Sequence, residues 1–178
     1  IECPPNNYCP AGVEQPSLCP IGTTTGGTTG ATSVDQCTEN EYPFTVTTTP
    51  DTSEFSFNIS ASGTFYVDCG DGAPERYQTI TASGEYTCSW ASADEHTIRI
   101  GGLATGYRTD TGYCVIDTEE CDAPYPVIAF PDNNIKSISG KLGKIFPTIN
   151  NGENPGEQPV FVDLFANKTN LTGSIPSY

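Results

Sequence analysis

The stretch VDCGDG, residues 67–72, places two carboxylates next to a cysteine and two glycines. Asp68 and Asp71 could supply oxygen ligands to calcium or act as an acid–base pair. The glycines favour another interpretation, because glycine accepts positive φ angles and short aspartate side chains bond nearby backbone NH groups in turns. We therefore predict a structural turn, with calcium binding by Asp68 and Asp71 as the alternative and no other cofactor.

Cysteine is the other residue type that could carry chemistry. The chain has eight cysteines, a single histidine (His96) and no CxxC pair, which argues against a zinc site. An even number of cysteines is typical of disulfides formed in an oxidising compartment, so we expect a secreted or cell-surface protein. The cysteines are Cys3, Cys9, Cys19, Cys37, Cys69, Cys88, Cys114 and Cys121.

The charge balance restricts the partners. Lys and Arg number 7 against 22 Asp and Glu, which gives a net charge of −15. Such a surface repels phosphate backbones and anionic lipids, so nucleic acid is excluded as a partner. No stretch approaches the roughly 20 apolar residues of a membrane-spanning helix, so we expect no membrane insertion. The chain lacks methionine and a signal peptide, and we expect it to be a piece of a longer protein.

Residues 1–40 hold four of the cysteines and few large apolar side chains, so disulfides must stabilise this segment. Cys9-Pro-Ala-Gly and Cys19-Pro-Ile-Gly-Thr resemble the CPxGT units of cysteine-rich repeats in ephrin-receptor and tumour-necrosis-receptor-like ectodomains. Four cysteines allow three pairings. The resemblance favours Cys19–Cys37 together with Cys3–Cys9.

In residues 41–126 apolar and polar side chains alternate with a period of two, which predicts short strands of an antiparallel β-sandwich. The inward-facing positions are expected to be Phe55, Phe57, Ile59, Phe65, Val67, Cys69, Tyr86, Cys88, Trp90, Ile98 and Ile100. Because Cys69 and Cys88 both fall on this inner face, we predict a disulfide between them. His96 is expected to be an ordinary surface residue of a strand.

Two motifs in this region resemble PKD-type β-sandwich domains. FYVDCGDGAPERY is similar to their VDWGDGT strand and turn, and TCSWASADEHTIRIGG is similar to their downstream HTYxxxGxYTVxIxG signature. The chain departs from the pattern at Cys69, which replaces a tryptophan, and at Cys88–Trp90, which replace the His-Thr-Tyr run. Asp94 stands where a glycine is usual. The resemblance implies an all-β, PKD/Ig-like fold.

The region 103–126 is the best candidate for a contact surface. Cys114 and Cys121 are predicted to form a disulfide that pins a hairpin or loop. This loop carries a dense acidic cluster, which is either a solvated loop tip or a site for a cation or a basic partner. The predicted binding residues are Tyr107, Tyr113, Asp117, Glu119, Glu120 and Tyr125.

Residues 127–178 have a sequence pattern that differs from both preceding segments. Leu164, Asn167, Leu171 and the pair Ile175-Pro176 resemble the LxxNxLxGxIP spacing of a leucine-rich repeat, although residues 168–170 crowd the register. The resemblance implies a leucine-rich-repeat-like cap after the sandwich, as in bacterial surface proteins with this order of modules. An irregular tail packed on the sandwich is the alternative.

These features predict a non-catalytic extracellular module for adhesion, ligand display or spacing, with a protein or glycan partner. The chain lacks the G-x-S-x-G, H-E-x-x-H and phosphate-loop motifs of common enzyme classes. A glycosidase needs only two carboxylates, so the alternative is a fragment of a carbohydrate-active enzyme or its carbohydrate-binding module.

Overall fold

The computed structural model describes residues 2–4, 7–20, 23–25, 28–39, 41–73, 76–115, 120–149 and 157–173, without the side chains of residues 77, 120 and 121. This part of the chain is all-β, with two short 3-10 turns and no α-helix. It divides into two compact units. The first contains Ile1–Glu41 with Ala73–Glu75, and the second contains Tyr42–Gly72 with Arg76–Tyr178.

The first unit is built from two-residue strands held by disulfides. Its elements are β1 (Asn7–Tyr8), β2 (Ser17–Leu18), β3 (Thr23–Thr24), a 3-10 turn (Val34–Gln36) and β4 (Thr38–Glu39). The strands pair β1 with β2 and β3 with β4, both antiparallel. The disulfides are Cys3–Cys9 and Cys19–Cys37, as the resemblance to cysteine-rich repeats implied. Cys3 and Ala31 are the buried apolar residues among those described in this unit, so its core is minimal.

The second unit contains longer strands. They are β5 (Phe44–Thr48), β6 (Thr52–Ile59), β7 (Ala61–Asp68), β8 (Arg76–Ile80), β9 (Gly84–Asp94), β10 (Thr97–Tyr107), β11 (Thr111–Val115), β12 (Glu120–Pro124), β13 (Ile128–Ala129) and β14 (Ile135–Gly140), followed by a 3-10 turn (Leu142–Lys144). One sheet has the order β14-β5-β10-β7-β8, a second has the order β13-β6-β9, and β11 pairs with β12 alone. All of these pairings are antiparallel.

The two larger sheets share one apolar core, because alternate residues of their strands point to it. In β7 the buried and half-buried residues alternate without a break. Phe57 of β6 stacks on Tyr86 of β9 with ring centroids 5.3 Å apart, and Phe130 packs on both Phe55 and Phe57. Apart from Trp90, which is half-buried, all the predicted inward-facing residues are buried.

The disulfide Cys69–Cys88 joins the end of β7 to β9 and therefore links the two larger sheets. Both cysteines are fully buried, which confirms the inward orientation that the alternation predicted. Trp90 lies beside this bridge and donates its indole NH to the Cys69 carbonyl oxygen at 3.0 Å. Cys114 is also disulfide-bonded. The side chain of its predicted partner, Cys121, lies outside the described part.

Residues 127–149 are integral to the second unit, since β13 pairs with β6 and β14 pairs with β5. Between residues 157 and 173 the chain is irregular, with an isolated bridge between Ile149 and Glu157 and a series of turns. Leu164 is buried in the core there, and Phe161, Phe165 and Leu171 pack against it. The expected Ile175-Pro176 element lies outside the described residues.

Candidate functional site

The predicted contact residues Tyr113 and Tyr125 come together at the β11–β12 hairpin. Tyr113 lies in β11 opposite Ala123, and Tyr125 follows the end of β12. Their ring centroids are 6.4 Å apart. Both rings are half-buried. Asp117 and Glu119 lie outside the described residues, and so does the side chain of Glu120.

An arginine covers the face of one of these tyrosines. The Arg108 guanidinium lies 3.7 Å from the centroid of the Tyr125 ring, within the range of a cation–π contact. The same guanidinium donates from Nε to Asp110 Oδ1 at 2.8 Å. The hydrogen bond from Arg108 lowers the pKa of the Asp110 carboxyl and raises the pKa of Arg108. Arg108 is therefore held in place on Tyr125, and the Tyr125 ring is not an open platform on that face.

A pocket of about 210 Å³ opens beside Tyr113. Its apolar wall comes from residues 129–131 with Val162 and Ala166. Its four polar groups come from three parts of the chain that are distant in sequence: Asn58, Tyr113, and the pair Asp163 and Lys168. A concave apolar surface with a few convergent polar groups is the usual form of a ligand site.

The Tyr113 hydroxyl donates a hydrogen bond to the Asp163 carboxylate. Burial, the negative charge of Asp163 and this hydrogen bond together raise the pKa of Tyr113, in that order of size. Asp163 has a positive φ of 52°, which is the left-handed conformation that Asp and Asn adopt most readily after glycine. The backbone at Asp163 accepts from Ala166 N at 3.1 Å and begins the turn that carries the pocket wall.

Lys168 lies on the other side of the pocket. Its ammonium group is 3.4 Å from the Pro131 carbonyl oxygen. Burial lowers the pKa of Lys168, and the nearby charge of Asp132 opposes that effect in part. The turn is fixed to the preceding strand region by neighbouring bonds, since Asn170 Nδ2 donates to the Asn133 carbonyl at 3.0 Å. Lys168 is thus a half-buried cation at the edge of the pocket.

Tyr107 takes a different position from the other predicted contact residues. Its hydroxyl donates to the Pro147 carbonyl oxygen at 2.6 Å, and its backbone NH donates to the Glu157 carboxylate at 3.0 Å. The ring packs partly against the core. These contacts give Tyr107 a structural role, and it does not line the pocket.

Asp68 and Asp71 make the contacts that a structural turn requires. Asp68 Oδ1 accepts from the Gly70 NH at 2.8 Å, and its second oxygen pairs with Arg99. Asp71 accepts from Arg76 Nη2 at 2.9 Å. Both carboxylates are therefore occupied by groups of the protein. Within the described ranges, no group of three or more His, Cys, Asp or Glu residues is arranged to hold a metal ion.

His96 lies immediately before β10, and its imidazole stacks on the Trp90 indole with centroids 3.9 Å apart and an interplanar angle of 3°. Its Nε2 is 3.3 Å from the Ser92 carbonyl oxygen. The expectation of an ordinary surface histidine therefore missed an aromatic contact. The stack packs on one side of the Cys69–Cys88 region and has no nucleophile or carboxylate partner among these contacts.

Sequence reasoning found Tyr113 but missed the residues that complete its pocket. Asn58 lies on the outer face of β6, and Asp163 and Lys168 lie in a segment interpreted through its resemblance to a leucine-rich repeat. No local pattern connects these positions, because the pocket forms only when the C-terminal segment packs on the sheet edge.

Comparisons with known proteins give no further identification: no family model, curated protein or solved structure matches this chain. Among the described residues, no helix is long and apolar enough to cross a membrane. The disulfides indicate an extracellular or otherwise oxidising environment.

Proposed function

We propose that this chain is a non-catalytic module of an extracellular or cell-surface protein, and that it binds its partner at the pocket beside Tyr113. The observation that carries the proposal is the pocket itself, with four polar groups converging next to an apolar wall. Sites of this form are few in a protein, and they lie where loops of a rigid scaffold meet. The core of the second unit supplies that scaffold.

The wider context of the proposal is a modular surface protein. The motif order around VDCGDG supports a PKD- or Ig-like β-sandwich for the second unit, and two antiparallel sheets over one core agree with it. A leucine-rich-repeat-like cap over residues 127–178 belongs to the same proposal. Its support is the spacing of Leu164, Asn167 and Leu171. A fold of this kind does not determine activity, so the binding role depends on the site.

The test compares two identical changes at different tyrosines. Tyr113→Phe removes the hydroxyl that bonds Asp163 in the pocket, and Tyr107→Phe removes a hydroxyl that bonds Pro147 outside it. In a glycan array and a pull-down from extracellular material, we expect Tyr113→Phe to weaken capture about tenfold, because the Tyr113 hydroxyl lines the pocket and holds the Asp163 carboxylate in position there. Tyr107→Phe should bind as the wild type does.

Equal binding by the wild type and Tyr113→Phe would remove the pocket from consideration. Release of reducing sugar ends from any polysaccharide by the purified wild type would contradict the non-catalytic role. That result would support the alternative of a carbohydrate-active enzyme fragment.

A further inference from the structure

The size of the Tyr113 pocket limits what can enter it. At about 210 Å³ it is smaller than the roughly 300–1,000 Å³ of sites for drug-sized ligands. It therefore has room for one unit of a larger chain, such as a single sugar ring or one amino-acid side chain. The rest of that chain would lie along the surface outside the pocket.

The polar groups of the pocket select between these two kinds of unit. Asp163 is an acceptor-only carboxylate and Lys168 is a donor-only ammonium, while Asn58 offers both kinds of atom. A unit that satisfies all three must carry donors and acceptors around its rim. A sugar ring has this property because each hydroxyl both donates and accepts. Its CH faces would lie against the apolar wall that includes Phe130 and Val162.

The charges around the pocket disfavour a charged unit. The lining carries one charge of each sign, Asp163 and Lys168, so neither a cation nor an anion meets an excess of opposite charge there. An acidic polymer would also be repelled by the net charge of −15.

We propose that the Tyr113 pocket holds one unit of a neutral glycan, whose hydroxyls donate to Asp163 and accept from Lys168. This inference rests on the proposed binding function and specifies its ligand class. A protein partner, which would place a side chain in the pocket, is the competing outcome of the test.

The experiment measures binding by calorimetry of three sets of probes to the full chain at low and high salt. The sets are neutral oligosaccharides of glucose, mannose, galactose, xylose and N-acetylglucosamine; acidic oligosaccharides of galacturonate; and oligo-arginine peptides. We expect a neutral oligosaccharide to bind, with a dissociation constant that changes less than about twofold between roughly 0.05 and 0.5 M NaCl, since uncharged contacts are not screened.

The variants are Asp163→Asn and Lys168→Gln. Asparagine tolerates the left-handed backbone of residue 163, so Asp163→Asn removes the charge without straining the turn. Each variant should weaken binding of the neutral oligosaccharide about tenfold to a hundredfold. Lys136→Gln is the control: Lys136 is exposed, pairs with Glu95 and does not line the pocket, so its binding should match the wild type.

The results of these titrations distinguish a wrong ligand class from a wrong binding function. Binding of the galacturonate or arginine probes, reduced by salt and by the pocket variants, would overturn the neutral-glycan inference and leave a binding function in place. Failure of all three probe sets to bind at the pocket would contradict both.

Discussion

Tyr86 shows how one buried hydroxyl makes stability depend on pH. It is 1 % exposed, and its hydroxyl donates to the Phe65 carbonyl oxygen at 3.3 Å. Burial raises the pKa of Tyr86 far above its ordinary value. The folded protein therefore keeps this proton at pH values where the unfolded chain, with a tyrosine pKa of about 10, loses it.

The raised pKa of Tyr86 makes the folded protein less stable at high pH. The contribution of Tyr86 is fully present below about pH 10 and is lost as the pH rises above it, by about 1.4 kcal/mol per pH unit. Tyr86→Phe should remove this part of the alkaline loss. Urea unfolding between roughly pH 9 and 11 measures the slope. An identical slope in the wild type and the variant would show that Tyr86 ionises without unfolding.

Asp68 is the second case at the scale of a residue, since its role can be separated into a turn bond and an ion pair. Asp68→Ala removes the acceptor for the Gly70 NH and should lower the free energy of unfolding by about 1 kcal/mol. Asp68→Asn keeps that acceptor and loses only the pair with the half-exposed Arg99, which costs less because exposed ion pairs contribute little.

Urea denaturation of the two Asp68 variants distinguishes these contributions. An equal loss of unfolding free energy in both variants would mean that the ion pair with Arg99 contributes more than the hydrogen bond from the Gly70 NH. Calcium should leave the melting temperature of the wild type unchanged. A calcium-dependent rise that disappears in Asp68→Ala would favour the metal site that the sequence left as an alternative.

At the scale of the element, close approach of β10 to β7 depends on Gly102. It has a φ of +120°, and a Cβ there would lie 2.6 Å from the Phe65 Cα. Gly102→Ala therefore combines backbone strain with a steric clash against the backbone of β7. We expect it to lower the free energy of unfolding by at least about 3 kcal/mol. Gly72→Ala is the matched control, because Gly72 has a φ of +73° with nothing near its absent Cβ.

The Gly72→Ala control should lower the free energy of unfolding by about 1 kcal/mol, the cost of the left-handed conformation alone. Chemical denaturation of both variants gives the two values. Similar losses at both glycines would show that β7 and β10 can move apart to admit a methyl group.

The strands were predictable because burial on one face imposes a period of two on the sequence. Phe55, Phe57 and Ile59 follow it, and so do Phe65 and Val67, all fully buried. The segment 157–173 was not predictable in this way, since its apolar residues pack singly from turns without a regular period. The pocket was not predictable for the same reason, because Asp163 and Lys168 lie in that segment.

At the scale of the whole molecule, the two units are stabilised by different means. The described part of the first unit buries little apolar surface and depends on Cys3–Cys9 and Cys19–Cys37. The second unit has an extensive core, in which Cys69 and Cys88 are fully buried. We expect a limiting amount of reductant to open the first unit while the second stays folded.

Amide hydrogen exchange measures this difference directly. Protection of residues 7–39 should fall after mild reduction, while β5 to β10 keep theirs. The double change Cys69→Ala, Cys88→Ala is the complementary variant and should cost the second unit about 3 kcal/mol. Simultaneous loss of protection in both units after mild reduction would contradict independent stabilisation.

We propose that this chain binds, without turnover, at the pocket beside Tyr113. The most direct measurement is a titration of the isotope-labelled chain with neutral oligosaccharides, followed by nuclear magnetic resonance. We expect shift changes that saturate and concentrate on Asn58, Tyr113, Asp163 and Lys168, with the oligosaccharide recovered intact. Shift changes centred elsewhere, or cleavage of the oligosaccharide during the titration, would contradict it.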